Sequence, residues 1–373
     1  MVDGGEELGL NLGAPVRLRL GSEEPRAGWV RREDWDSLSD WGQWVRALKL
    51  GSDASPVGLW AGALEGYTLL SGHLVRRYSN RANPDYHPAG AFLTATLGPV
   101  YAEAFASDVL GARLMGAEAA LDVAHLFTGP PRQPGRYTLS LSAVHDWGRA
   151  GGDSPPVTLA HLDGTAVLVV RPGFELHVLA GWGGHPEVGG AWGAVVGVGA
   201  DAVTPTLDLR LRLEARRQRG GFRQGYFGPD YELARFHAVG LSGLPVAQAP
   251  FPEGFSAQGE VVVGWDGVRL GGLRQRHLHL SLAVEVFTWG RVDVDGRLAA
   301  QLAERRVEVA FTAQGAGLGQ PGARAVYAGE VRWRLGGWLY VLGQGGTLLF
   351  PAADGSLRPG AFASLGLGVD HVR

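Results

Sequence analysis

Cysteine is absent from the 373 residues. That removes disulfides, thiolate metal sites and cysteine nucleophiles together. It suits an exported protein that avoids disulfide errors in transit, although many cytosolic chains share it. Lysine is almost absent as well: of 34 basic residues only Lys49 is a lysine. A codon bias toward arginine explains this blandly. The functional reading is that arginine's planar, weakly hydrated fork suits crowded charge networks. No stretch reaches the ~18 consecutive apolar residues of a transmembrane helix. The formal net charge of −3 gives no electrostatic reason to expect nucleic acid as a partner. Residues 1–7 are acidic and lack an apolar segment, so an exported form of this chain would have lost its leader ahead of Met1.

Glycine is abundant instead: its 59 residues are more than twice the usual share of ~7%. Charged residues make up 19%, below the usual ~25%. Mean hydropathy is close to zero, which fits neither a helical membrane protein nor a disordered chain.

The dominant pattern has period two. Residues 207–216 read LDLRLRLEAR, so Asp208, Arg210, Arg212, Glu214 and Arg216 fall on one face of a strand and the leucines on the other. From His277 onward, Leu278, Leu280, Leu282, Val284 and Val286 oppose His277, His279, Ser281 and Glu285. Val307, Val309 and Phe311 alternate with Arg306, Glu308 and Thr312. Tyr327, Trp333 and Leu335 oppose Ala328, Glu330, Arg332 and Arg334. Near the start Val16, Leu18 and Leu20 alternate with Arg17 and Arg19. At the end Phe362 precedes Leu365, Leu367 and Val369 with a change of parity near Ala363.

Asp-Gly pairs at 163–164, 266–267, 295–296 and 354–355, and Gly-Gly at 336–337, are expected to form tight hairpin turns. Longer Gly/Pro-rich gaps lie at 128–135, 183–190, 241–255 and 315–322. Short turns on one rim and long loops on the other are the pattern of a membrane barrel. Spanning-length runs number roughly 16, with 14 or 18 open because parity breaks such as Ala303–Arg306 read as turns or bulges. One region departs from the pattern. Trp35, Leu38, Trp41, Val45 and Leu48 recur at spacings of three and four, which predicts a short helix over 33–48 with Asp34 or Ser37 as cap. No linker divides the chain, so residues 1–373 are expected to form one domain.

The expected fold is all-β: a transmembrane antiparallel β-barrel, apolar outside and polar inside. A soluble barrel fills a small interior with side chains, and this polar face carries too many ionised groups for that. The apolar face is too continuous to meet water. Both features fit if one face meets lipid and the other lines a lumen. The competing arrangement is a soluble sandwich, propeller or solenoid with a second layer over the apolar face. Trp60, Tyr101, Trp147, Trp182, Trp192, Trp265, Trp289, Trp333, Trp338 and Tyr340 lie mostly near strand ends or glycine turns, as interfacial aromatics do; scattered core aromatics are the alternative. With the alternation over 14–372 and runs such as LGAPVRLRL at 12–20, the chain resembles bacterial outer-membrane barrels of the porin-like kind. The resemblance implies the outer membrane as location. Such barrels usually end on an aromatic residue, whereas this chain ends VDHVR.

Candidate chemistry is sparse. His277 and His279, with Glu285, could hold zinc only if a further ligand converged; polar lumen lining is the simpler reading. Ser71-Gly72-His73 with Ser79-Asn80 is similar in content to outer-membrane lipid hydrolases, but residues 76–85 read as a rim loop. Gly197-Val198-Gly199 and Gly343-Gln344-Gly345-Gly346 open no helix and so lack a phosphate cradle. No catalytic residue, metal or cofactor is expected, and the protein is read as a non-enzyme. The lead is the set of charges assigned to the lumen: Arg17, Arg19, Asp208, Arg210, Arg212, Glu214, Arg216, His277, His279, Glu285, Glu308, Glu330, Arg332 and Arg334. They either pair across strands to stiffen the wall or form a constriction that sorts solutes. In the latter case Arg210 and Arg212 would set ion selectivity. The expected function is a channel for small polar or charged solutes, in contact with the lipid bilayer. The alternative is a closed barrel that anchors other envelope proteins or serves their export, and an envelope enzyme is the third.

Overall fold

The structure, a computed structural model, describes residues 8–17, 30, 34–51, 55–83, 86–129, 135–148, 156–232, 251–266, 268–270, 273–275, 277–303, 306–336, 338–351 and 357–371. Eighteen strands form one antiparallel sheet. They are β1 (Leu8–Arg17), β2 (Val45–Leu50), β3 (Val57–Gly62), β4 (Gly90–Leu97), β5 (Val100–Ala106), β6 (Leu114–Asp122), β7 (Tyr137–Asp146), β8 (Val157–Arg171), β9 (Phe174–Gly184), β10 (Trp192–Val203), β11 (Leu207–Arg219), β12 (Gly254–Trp265), β15 (Leu278–Phe287), β16 (Val292–Leu302), β17 (Val307–Leu318), β18 (Arg324–Arg334), β19 (Leu339–Pro351) and β20 (Leu357–His371). A separate two-stranded hairpin, β13 (Val268–Leu270) with β14 (Leu273–Gln275), lies in the connection after β12. Strand β1 pairs with β2 on one side and with β20 on the other, from Leu10↔His371 to Arg17↔Ser364. The ring is therefore closed and has no free edge, the only way a sheet can cross lipid with its backbone satisfied.

The strand number is 18, not about 16. Strands β2 to β5 are only six to eight residues long, below the spanning length by which strands are recognised in a sequence. The helix over 33–48 is also not formed. A seven-residue 3-10 turn runs over Leu38–Trp44, capped by Ser37 and Asp40, and Val45 already begins β2. Its faces are the reverse of an amphipathic core helix: Leu38, Trp41 and Trp44 are exposed while Ser39, Asp40 and Gln43 are buried. Closing the ring requires Val45–Leu50 as a strand between β1 and β3, and this pairing overrides the local three-four spacing.

Two expected turns are strand interior. Asp163-Gly164 lies within β8, where Gly164 faces Leu139 and Ala180, and Asp295-Gly296 lies within β16 between Leu282 and Ala313. An Asp-Gly pair turns a hairpin only when both residues take positive φ. Neighbouring strands on both sides supply a full ladder instead. Gly336 does lie in the β18–β19 connection; Gly267, Gly337 and the pair 354–355 lie outside the described residues. Tight connections fall at Gly98-Pro99 and Pro172-Gly173, where the glycines take φ of 60° and 72°. They share a rim with the chain ends of the sheet, Leu8 and His371. The long connections 18–44, 63–89 and 220–253 all leave from the opposite rim.

The outer face is aliphatic. Leu211 and Leu213, Leu139 and Leu141, and Leu365, Leu367 and Val369 are all exposed, while Arg212, Glu214, Ser140, Ser142, Gly366 and Gly368 of the other parity are buried or half-buried. The parity change near Ala363 is no bulge: β19 and β20 stay in register from Leu339↔Val369 to Pro351↔Leu357, and Phe362 simply belongs to the inner face. Trp182, Trp265, Trp333 and Trp338 are exposed, as interfacial rings would be. Trp60 and Tyr340 are not. Trp60 stacks on Phe92 against the interior cluster. Tyr340, 1% exposed, donates to Asn11 Oδ1 at 2.8 Å beneath the Arg332 guanidinium. Its ring occupies the space over Gly368, where a Cβ would come within 2.1 Å of it.

Candidate functional site: loops folded into the lumen

Two of the long connections turn inward. Residues 63–89 carry Leu64, Tyr67, Leu69, Leu74, Val75 and Tyr78, and residues 220–232 carry Phe222, Phe227 and Tyr231. With Phe105, Leu114, Val144 and Leu159 from the inner faces of β5 to β8 they form one buried apolar cluster. These side chains cannot remain in a wet lumen singly, so they collect against the apolar side chains that this sector of wall turns inward. The backbone is tied as well. Tyr67 and Tyr78 exchange hydrogen bonds of 2.9 and 2.8 Å, and Phe227 N donates to Leu74 O at 3.0 Å. Tyr67 donates its hydroxyl to Glu103 at 2.5 Å; burial and that carboxylate push its own ionisation far up.

In the inward loop, Arg76 and Arg77 meet three carboxylates and one hydroxyl of the wall. Arg76 Nη1 lies 3.1 Å from Glu214, and its Nη2 pairs with Glu260. Arg77 bonds Asp295 and Ser281 and lies 3.4 Å from Glu260. Arg212 pairs with Glu214 and donates to Ser71 O at 2.7 Å. Arg216 donates to Glu214 at 2.7 Å and to Glu285 at 2.9 Å. Glu214, 4% exposed, thus serves three guanidiniums, which is how three buried cations avoid being left unpaired. Asp230 of the second inward segment reaches Arg324 on β18 at 2.5 Å, and Tyr78 donates to Glu232.

The loops do not fill the whole interior. A cavity of about 410 Å³ remains between them and the wall from β15 to β20. Arg46, Glu65, Arg77, Arg81, Arg297 and Glu330 are among its charged lining. Its wall includes a polar row across three strands: Gln344 donates to Glu330 at 2.6 Å, and Ser364 donates to Gln344 at 3.2 Å.

The charges singled out from sequence are distributed unevenly. Arg212, Glu214, Arg216 and Glu285 converge under the inward loop. His279 and Glu330 line the cavity. Glu308 stands directly opposite Arg332, whose guanidinium covers Tyr340. Arg210 is largely exposed beside Asp208, at 3.5 Å. His277 bonds Trp265 and Gln301 through its backbone, and Arg334 is half-buried at the end of β18. Arg17 ends β1, and Arg19 lies outside the described residues. The segment read as a rim loop is instead in the lumen: His73 is 1% exposed, and Asn80 accepts from Leu64 N and donates to Ser107 O at 2.9 and 2.8 Å. Burial and the nearby Arg212 charge hold His73 well below the ordinary imidazole range, so the ring is neutral. Sequence reasoning missed Arg76, Arg77, Glu260, His161, Asp163 and Asp295. Period two could have found the last two, which the turn reading removed from their strands.

No family model matches the chain, and no curated protein does. Among solved structures, Pseudomonas aeruginosa OccK8 (OprE) aligns over 98% of this chain and 96% of its own at 10% identity, with a TM-score of 0.42. A triple mutant of the Rhodopseudomonas blastica porin aligns over 98% and 99% at 8% identity, with a TM-score of 0.35. CdiB from Escherichia coli aligns over 98% of this chain but 63% of its own, at 8% identity and a TM-score of 0.39. The closed antiparallel ring with an aliphatic outer face is itself the architecture of a transmembrane β-barrel.

Proposed function

We propose that this chain, as one domain, is an outer-membrane channel for small polar or charged solutes, narrowed by its own inward-folded loop. The observation that carries the reading is the cavity of about 410 Å³ left between the Arg77 side of the loop and the wall from β15 to β20. Four guanidiniums, Arg46, Arg77, Arg81 and Arg297, face three carboxylates, Glu65, Asp295 and Glu330, across it. Charges in a pore wall bias which ions enter, so the passage leans toward anions. His279 and Glu330 belong to the passage, while Arg212, Glu214, Arg216 and Glu285 hold the loop that shapes it. The remaining lumen charges among the described side chains, Asp208, Arg210, His277, Glu308, Arg332 and Arg334, are assigned to the inner wall.

The test is single-channel recording of the refolded protein in a planar bilayer. Small discrete openings are expected, with weak anion preference in a salt gradient. A second reading has its own support: the apolar cluster and the charge network seal the sector from β5 to β12. A barrel without conductance, both as wild type and after Arg77→Ala, would be the closed form that anchors or exports envelope partners.

A further inference from the structure

Behind the inward loop, three buried side chains converge without serving the charge network. His73 comes from the loop; His161 and Asp163 come from the inner face of β8. They are 1%, 1% and 3% exposed. One ligand-type atom from each lies within 4.8 Å of the others. His161 Nδ1 and Asp163 Oδ2 are 3.4 Å apart. That is about the edge of a tetrahedron whose metal–ligand bonds are ~2.0–2.1 Å. The two imidazoles overlap with centroids 4.5 Å apart.

Three polar atoms of the cluster have no hydrogen-bond partner: His73 Nδ1, His161 Nδ1 and Asp163 Oδ2. Three such atoms in one place are unusual, because a buried carboxylate oxygen without a donor is costly. Among the described residues no arginine is in ion-pair contact with Asp163, and Arg212 pairs with Glu214 instead. The far ring nitrogens are placed differently: the Gln224 amide at His161 can be turned to accept, whereas Arg212 can only donate and must yield its place at His73 Nε2 to water when Nδ1 binds an ion. Arg212 Nη2 lies 3.4 Å from His73 Nε2, and the Gln224 side-chain amide lies 3.1 Å from His161 Nε2. Gln224 Oε1 also lacks a partner. Turning that amide over lets Oε1 accept from Nε2–H, the tautomer that leaves Nδ1 as a ligand.

Strand β9 is cut back to make the room. Gly181 and Gly183 face Asp163 and His161 across the ladder. A Cβ on Gly181 would come within 2.4 Å of the His161 ring, and one on Gly183 within 2.5 Å. Glycine on the inner face thus lets the imidazole lie against the wall.

We propose that His73, His161 and Asp163 bind a divalent transition-metal ion of the zinc class, which staples the inward loop to β8. Two imidazoles and one carboxylate are a donor set that suits zinc, cobalt or copper better than calcium or magnesium. The ion offsets the Asp163 charge, and its remaining position is filled by water. The site does not depend on whether the barrel conducts.

The test uses full-length protein refolded in detergent and stripped with EDTA, then titrated with Co²⁺ and followed by absorption. One equivalent is expected, with the intense visible bands of a tetrahedral ion, bleached by added Zn²⁺. His161→Gln and Asp163→Asn should each weaken binding by at least about 100-fold, since losing a ligand exceeds the loss of an outer-sphere partner. The double variant His277→Gln/His279→Gln should bind as wild type does. Heat-shifted gel migration verifies that each variant is folded, and isosteric Asp163→Asn decides if His161→Gln does not refold. Absence of a tetrahedral spectrum in the wild type, or equal binding after Asp163→Asn, would overturn the site.

Discussion

The wall from β5 to β12 and the wall from β15 to β20 obey the same alternation, yet their inner faces do different things. On the first, Phe105, Leu114, Val144 and Leu159 press against the inward loops, and Glu214, Arg216 and Glu260 are consumed in bonds to them or to one another. On the second, Glu330, Gln344 and Ser364 bond one another along the wall, and Glu330 and Gln344 border a cavity. A charge on the inner face of a barrel is therefore either a fastener or a lining, according to whether a loop reaches it. Arg76 and Arg77 mark the border between the two.

The largest effect is expected on the fastened side. Glu214→Gln keeps the volume but leaves Arg76, Arg212 and Arg216 without their shared anion. Removing one partner of a buried ion cluster costs about 3–5 kcal/mol. Thermal unfolding in detergent, read as loss of the heat-shifted gel band, should show a marked drop in midpoint. Glu330→Gln on the other wall should change the midpoint little, because its partner Gln344 is neutral. Equal losses would erase the distinction between fastener and lining.

Next in size is the contrast between outer and inner faces. Phe311 and Thr312 are neighbours on β17; Phe311 is exposed on the outside, and Thr312 lines the cavity. Phe311→Arg places a charge in lipid near mid-strand, at about 2–4 kcal/mol. Thr312→Arg meets the cavity and should cost under ~1 kcal/mol. Leu282→Arg belongs with Phe311→Arg. Ser281→Arg is not a neutral substitution on the inner face, since Arg77 already bonds that side chain. Urea unfolding of barrels in lipid vesicles measures all four, and similar values for Phe311→Arg and Thr312→Arg would mean that the faces are inverted.

Much of this barrel was legible from period two. Leu211, Leu213, Leu365 and Leu367 lie outside because alternation fixes sides whatever the partner strand. Strand number was less legible, since β2 and β3 span six residues each. The 3-10 turn at Leu38–Trp44 resembles a helix because its apolar residues recur at three and four, but they face outward. The filling of the lumen was not legible. Arg76 and Glu214 are 138 residues apart, and Arg77 and Asp295 are 218 apart. Nothing local separates a loop that covers the rim from one that enters the barrel. The signal available was composition: Leu64, Tyr67, Leu69, Leu74, Val75 and Tyr78 are too apolar for a solvated loop.

The third effect concerns passage. Arg77→Ala frees Asp295, Ser281 and one edge of Glu260, and it shortens the side chain that borders the cavity. Single-channel conductance should rise, with more frequent open-state noise, because the loop loses ties to β12, β15 and β16. Arg76→Ala should raise noise more than mean conductance, since Glu214 and Glu260 lie on the sealed side. Identical traces for both variants would place the passage elsewhere.

The smallest effect is selectivity, and it separates two arginines that look alike in sequence. Arg212 and Arg297 both stand at inward positions of strands. Arg212 is tied to Ser71 O and Glu214, so its charge is spent on the loop. Arg297 borders the cavity. Arg297→Gln should move the reversal potential toward cations in a salt gradient, because it removes one of the four guanidiniums facing three carboxylates. The shift should shrink in concentrated salt, where the screening length falls to ~3 Å at 1 M. Arg212→Gln should lower thermal stability and leave reversal potential near that of the wild type as long as the loop stays in place. Arg210→Gln, largely exposed beside Asp208, should do neither strongly. If Arg212→Gln moved the potential and Arg297→Gln did not, the conducting path would run along β11, and the cavity beside β15 to β20 would be a dead end.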